Sequence, residues 1–351
     1  MIGLTSERIT EELQSFSAKL AQGGQTLRDL GEIETGVSPR EAIYQEDKLT
    51  LYRYQPRVAQ PHPVPLLIVY ALVNRPYMMD LQEDRSMIRG LLDAGLDVYL
   101  IDWGYPDAAD RELSLADYIH RYIDHCVDTL RERCGQDAIN LLGVCQGGTL
   151  SLCFSSLYPE KIRNLVTMVT PVDFHTPDNL LTHLIRHVNV DLLVDTLGNL
   201  PGQLLNFTFL SLSPFRLAGQ KYVDLTDILD DAQALRNFLR MEKWIFDSPD
   251  QAGAAFRQFA KDFFQQNKLI KGEVNIGDRR VSLGNIVMPV LNVYAAQDHL
   301  VPPAASKALA ECCGSRDYTE FSFQGGHIGI YVSGRAQREV PPAVAAWLLA
   351  R

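Results

Sequence analysis

The hexapeptide Gly143-Val144-Cys145-Gln146-Gly147-Gly148 constrains this chain more than any other feature. It follows the apolar run Ile139-Asn140-Leu141-Leu142 and precedes a helical pattern that stops at Pro159. That order predicts a strand, a sharp turn and a helix, with a thiol at the apex. Glycines flank the apex because a neighbouring Cβ would collide with the adjacent strand and helix. The reactive side chain then stands clear of the backbone above a helix N-terminus. There the helix dipole and free N–H groups favour a thiolate and later an oxyanion.

A chain of 351 residues can bury a large core and suits one α/β domain carrying an inserted cap. Its net charge of −10, from 43 acidic and 33 basic side chains, argues against nucleic acid as a partner, since phosphate contacts need a basic face. A local basic pocket for an anionic ligand stays open. Met1 leads into polar Thr5-Ser6-Glu7-Arg8 without the apolar core of a signal peptide, and no run is long enough for a transmembrane segment. The cysteines at 126, 134, 145, 153, 312 and 313 have neither secreted-domain nor metal-ligand spacing. We therefore expect reduced thiols, no metal site and a cytoplasmic setting.

Residues 4–30 read as an amphipathic helix, with Ile9, Leu13, Phe16 and Leu20 on one stripe and Gly23-Gly24 ending it. Strand-like runs follow at 49–56, 66–70 and 98–102, with a helix-like stretch around 80–94. More runs occur at 139–144, 165–170, 290–295 and 318–323. Short apolar strands alternating with helices imply a mostly parallel sheet with helices on both faces, an α/β fold. Residues 173–270 break the rhythm and look helical in places, over 232–244 and 252–266. The simplest account is a helical cap, or lid, over the strand C-terminal ends, leaving 31–172 and 271–351 as the core.

The elbow pattern G-x-nucleophile-x-G is that of an α/β-hydrolase, with cysteine in place of serine, and its partners follow in the order acid, then histidine. Asp298 ends the run Val290-Leu291-Asn292-Val293-Tyr294 in a turn, and His327 follows Phe321-Ser322-Phe323 through Gln324-Gly325-Gly326. Either residue alone would read as a surface or core side chain. Together with Cys145 they form a triad at three strand ends. Cys145 attacks as thiolate, His327 takes its proton, and Asp298 orients the imidazole. The oxyanion is assigned to the backbone N–H of Gln146 and of Val73, the latter preferred over Asn74. Asn74 and His299 stand as candidate substrate contacts, with a structural role for His299 as the alternative. His120, His125, His183, His187 and His175 have no zinc spacing, and Cys126 and Cys153 read as core thiols.

At these residues the sequence resembles the catalytic subunits of polyhydroxyalkanoate synthases of the short two-component type. The resemblance rests on Gly143 to Gly148 and on Tyr70-Ala-Leu-Val-Asn-Arg-Pro-Tyr-Met-Met-Asp80. It continues through Ile101-Asp-Trp-Gly104, Asp298-His-Leu-Val-Pro302 and Gly325-Gly-His-Ile-Gly329. It implies polymerisation of (R)-3-hydroxyacyl-CoA, chiefly 3-hydroxybutyryl-CoA, into an intracellular polyester with release of CoA. No cofactor is implied, since the CoA thioester is the substrate. It also implies an oligomer at polymer granules with a second, non-catalytic subunit, PhaE-like or alternatively PhaR-like. Longer single-component synthases carry an extra N-terminal region that this sequence lacks.

Thiol and thioester exchange acyl groups at little net cost, and either His327 or Asp298 then activates the 3-hydroxyl that attacks next. A cap suits a reaction that must exclude water. The apolar stretch 200–217 either gates access, meets the polymer, or packs the cap core. The segment 4–30 either binds the partner subunit or folds back on its own domain. Two rival functions remain: a cysteine-type esterase or thioesterase, and a catalytically silent scaffold.

Overall fold

Buried polar pairs fix the register of the central strands, which are otherwise largely apolar. The computed structural model describes residue 14, residues 32–212 and residues 221–351. Apart from residue 14, the predicted helix over 4–30 lies outside the described residues, as do residues 213–217 of the apolar stretch. Eight strands form the central sheet: β1 (Arg40–Glu46), β2 (Leu49–Tyr54), β3 (Leu66–Val69), β4 (Val98–Asp102), β5 (Ile139–Val144), β6 (Ile162–Met168), β7 (Val290–Ala295) and β8 (Tyr318–Phe323). Across the sheet they run β1-β2-β4-β3-β5-β6-β7-β8. The β1–β2 and β2–β4 pairs are antiparallel and the rest parallel.

Strands β3, β4 and β5 are buried at every position because helices cover both faces. Inside this apolar stack, Asn164 Nδ2 donates to Asn140 Oδ1 (2.8 Å) between β6 and β5. Thr167 Oγ1 donates to Asn292 Oδ1 (3.0 Å) between β6 and β7. A slip of one residue would bury these polar groups without partners, so they pin the register.

Helix α1 (Met87–Asp93) occupies only the end of the stretch expected to be helical around 80–94. Upstream, Asp80–Gln82 pairs with Arg85–Ser86 as a small ribbon. The cause is the buried Asp80 carboxylate, which accepts from the Ser38 N–H (2.7 Å) and from the Ser38 and Ser86 hydroxyls (2.8 and 2.5 Å). Ser86 Oγ also caps α1 by accepting from the Arg89 N–H. A residue 42 positions away decides this, and periodicity cannot see it. β6 begins at Ile162, earlier than the expected 165–170, and ends at Met168, where Val169 turns to a φ of +43°.

Helix α2 (Asp124–Cys134) follows a π-helical stretch, Asp117–Ile123. Helix α3 (Gln146–Leu157) is buried along its whole length. Its glycines and serines let it lie close against the sheet. Between β6 and β7 the chain leaves the sheet for α4 (Leu180–Ile185), α5 (Val190–Leu197), α6 (Gly202–Ser211), α7 (Ala232–Phe246) and α8 (Gly253–Gln258). The neck of this insertion is tied by Asn267, whose Oδ1 accepts the Phe174 N–H (2.9 Å) while its Nδ2 donates to Asp173 Oδ1 (2.8 Å). The final helix, α9 (Gly334–Leu349), packs against α1.

Candidate active site

Two backbone approaches and one side-chain approach force the glycines of the elbow. A Cβ on Gly143 would lie 2.5 Å from the Gly148 Cα, and one on Gly147 would lie 2.3 Å from the Val69 carbonyl oxygen. A Cβ on Gly148 would lie 1.8 Å from Thr170 Oγ1. Only with these side chains absent can α3 begin directly under the end of β5. Cys145 sits at the turn with φ +53° and ψ −122°, half-buried, and its N–H donates to the Met168 carbonyl (2.9 Å). Such a conformation costs on the order of 1–3 kcal/mol and persists because the elbow's neighbours dictate it.

Asp298 and His327 come from loops after β7 and β8 that backbone bonds stitch together. The Ala296 N–H donates to the Phe323 carbonyl (2.8 Å) and the Gln297 N–H to the Gly325 carbonyl (2.9 Å). A Cβ on Gly325 would strike the Phe323 ring at 2.4 Å, so the glycine is needed for that close turn. Asp298 divides its oxygens between two tasks. Oδ1 accepts the N–H groups of Leu300 and Val301, both at 2.9 Å, which fixes the carboxylate. Oδ2 accepts from His327 Nδ1 at 2.7 Å, an arrangement buried from solvent. Burial alone works against a charged imidazole here. The Asp298 carboxylate and, after it, the interaction with Cys145 outweigh burial and push His327 up to about 10.

The three predicted triad residues are therefore brought to one place. The other thiols differ. Burial pushes Cys126 well up and Cys153 to about 12, so both are held as neutral thiols. None of the six cysteines is in a disulfide. Among the described residues no group of three or more His, Cys, Asp or Glu side chains is arranged to hold a metal.

The loop after β3 reaches the elbow. Gln146 is buried, and its side-chain Oε1 accepts the Leu72 N–H at 3.1 Å, tying the residue after Cys145 to the residue before Val73. No hydrogen bond to the Gln146 or Val73 N–H is present among the described residues. Asn74, with φ +58°, points its side chain away, toward the insertion: Nδ2 donates to Ser248 Oγ at 2.7 Å. His299 is exposed beside Asp298. Two features escaped sequence reasoning, namely the Gln146 side-chain tether and Tyr331. The latter's ring stands edge-on to His327 (6.0 Å between centroids), and its hydroxyl is buried without a partner among the described residues. Nothing in a linear pattern signals either, because both depend on which loops meet.

A profile described as the alpha/beta hydrolase fold matches residues 64–333, and one described as the poly-beta-hydroxybutyrate polymerase (PhaC) N-terminus matches residues 7–91. The chain is 62% identical to the poly(3-hydroxyalkanoate) polymerase subunit PhaC of Allochromatium vinosum, over 99% of this chain and 98% of that one. It is 57% identical to the subunit of the same description from Synechocystis sp., over 98% and 94%. The chain belongs to the poly(3-hydroxyalkanoate) polymerase PhaC family. Among solved structures, a putative lipase from Sulfolobus solfataricus aligns with TM-score 0.56 at 16% identity, over 91% of this chain and 99% of that one. A monoacylglycerol lipase from Paleococcus ferrophilus aligns with TM-score 0.55 at 19% identity, over 86% and 98%. These two bear on the fold alone, and both agree with the α/β-hydrolase order of the PhaC-family sheet.

Proposed function

We propose that this PhaC-family acyltransferase polymerises (R)-3-hydroxyacyl-CoA, chiefly 3-hydroxybutyryl-CoA, through a covalent thioester on Cys145. The observation that carries the reading is the elbow thiol beside a histidine bonded at 2.7 Å to a buried carboxylate. The raised His327 holds a protonated imidazole beside the elbow, and Cys145 attacks the substrate carbonyl as the nucleophile. The N–H groups of Gln146 and Val73 receive the oxyanion. The carbon–sulfur bond to CoA breaks, and the CoA thiolate leaves with the proton from His327. The imidazole, now neutral, takes the proton of an incoming 3-hydroxyl. That oxygen attacks the Cys145 thioester, forming an ester bond and returning the thiolate. Both Asp298 oxygens already have partners, which supports His327 rather than Asp298 as the base.

The reaction needs no cofactor beyond the CoA thioester. No helix among the described residues is long and apolar enough to cross a membrane. A cytoplasmic enzyme at the granule surface is supported by the exposed apolar side chains of the insertion, with Leu192 63% and Phe207 70% exposed. A second, PhaE-like subunit, with a PhaR-like one as the alternative, and an oligomeric assembly complete the proposal. The deciding assay supplies the protein with 3-hydroxybutyryl-CoA, with and without that subunit. Thiol release with rising turbidity supports polymerisation, whereas soluble 3-hydroxybutyrate alone identifies a thioesterase.

A further inference from the structure

The loop that carries the Val73 N–H is gripped on both sides of that residue. On the elbow side, Gln146 Oε1 holds the Leu72 N–H. On the other side the grip comes from the last turn of α7 and the residues just after it. Asn74 Nδ2 donates to Ser248 Oγ at 2.7 Å, with longer approaches of 3.4 Å to the carbonyls of Trp244 and Ile245. The buried Trp244 indole Nε1 donates to the Arg75 carbonyl at 2.9 Å. Ser248 Oγ in turn donates to Asn206 Oδ1 on α6 (2.9 Å), so the chain of bonds runs from the loop after β3 into two helices of the insertion. Asp247, which caps α7, accepts from the hydroxyls of Tyr77 (3.1 Å) and Tyr105 (2.7 Å), both on the sheet side.

We infer that Asn74 and Trp244 are positioning residues that set the Val73 oxyanion donor only while α7 is docked, so that thioester turnover depends on the insertion being seated. The inference rests on the reading of Cys145 as the acylated nucleophile and of the Val73 N–H as an oxyanion donor. Asn74 is adjacent to Val73 and holds a left-handed backbone conformation, and its amide spans the gap to α7 instead of facing a ligand. Oxyanion donors act only within a few tenths of an ångström of the developing charge, so a small shift of this loop is felt in the rate and not in ground-state binding. The insertion thereby becomes part of the catalytic geometry as well as a cover over it.

Two variants isolate the contacts. Asn74→Gly removes the amide while keeping the positive φ without strain. Trp244→Phe removes the indole N–H while keeping most of the ring's packing. The measurement is single-turnover acylation of Cys145 by 3-hydroxybutyryl-CoA, followed by CoA release and by the mass of the acyl-enzyme, alongside KM and the thermal midpoint. The expected result is an acylation rate lowered about tenfold or more in each variant, with KM and midpoint as in the parent. The double variant should lose less than the product of the two, because both act on one loop. Parental acylation rates in both variants overturn the inference. So does a rate loss that comes with an equally lowered midpoint, which would make the contacts simply structural. If the parent itself forms no acyl-Cys145, the reading of the site falls first and this inference with it.

Discussion

Backbone bonds stitch together the loops that carry the triad, whereas the insertion grips the loop after β3 mainly through side chains. At the sheet edge, Ala296, Gln297 and the elbow N–H groups donate to neighbouring carbonyls, and glycines allow the close passage. At the insertion, Asn74, Tyr77 and Tyr105 reach across to the end of α7 and the residues just after it, and Trp244 on α7 reaches back to the Arg75 carbonyl. The contrast also extends to exposure, for Leu184, Leu192 and Phe207 on the insertion are open to solvent while Asp298 and His327 are buried. The lesson is a division of labour. The loops of Asp298 and His327 are held by peptide groups, which have little freedom, whereas the loop after β3 is held by contacts that side-chain rotation can release.

The largest test of the backbone-held side is Cys145→Ala, which should lower CoA release about 10³-fold or more while leaving the denaturant midpoint unchanged. Asp298→Asn comes next. It keeps an oxygen for the Leu300 and Val301 N–H groups but loses the charge that raises His327, and a fall of about 10³-fold in kcat is expected. The same variant tests the sign of the linkage. Because the folded pKa lies above the ordinary 6.5, the pair's contribution to stability is full below about 6.5 and is lost as pH rises through about 10. Thermal midpoints at several pH values should show that decline in the parent and its absence in Asp298→Asn.

Gly147→Ala would push a Cβ into the carbonyls of Val69 and Tyr70, which are backbone and cannot rotate away. It should cost about 3 kcal/mol in urea unfolding. Gln146→Leu removes the acceptor for the Leu72 N–H while filling similar space, and kcat should fall about tenfold with KM little changed. On the side-chain-held part the expected effect is smallest. Phe207→Ser should leave stability within about 0.5 kcal/mol and soluble acylation unaltered, yet reduce sedimentation with polymer particles. Unchanged sedimentation would remove Phe207 from any polymer-facing surface.

Much of this molecule could be read from order and spacing alone. The elbow glycines, the apolar strands and the sequence Cys145, Asp298, His327 are local or ordinal features, because a strand end, a tight turn and a helix start each depend on adjacent residues. The ribbon at Asp80, the buried pairs Asn140–Asn164 and Thr167–Asn292, and the tether from Gln146 were not legible, since each joins residues far apart in the chain. Asn74 shows the difference within one residue. Its place after β3 suggested a contact with substrate, but its amide meets Ser248, 174 positions away, because the insertion folds back over that loop.

By itself, then, the sequence determined most of the sheet, though not the edge strand β1 (Arg40–Glu46), and the order of Cys145, Asp298 and His327, for these follow from short-range sterics and from the order in which strand ends appear. Only the tertiary structure decided which N–H groups are tied down, which carboxylate oxygen meets the imidazole, and how α7 holds the loop after β3. Those are questions of angle and distance between segments, and they are answered when packing selects one arrangement of loops from the many that the same local rules permit.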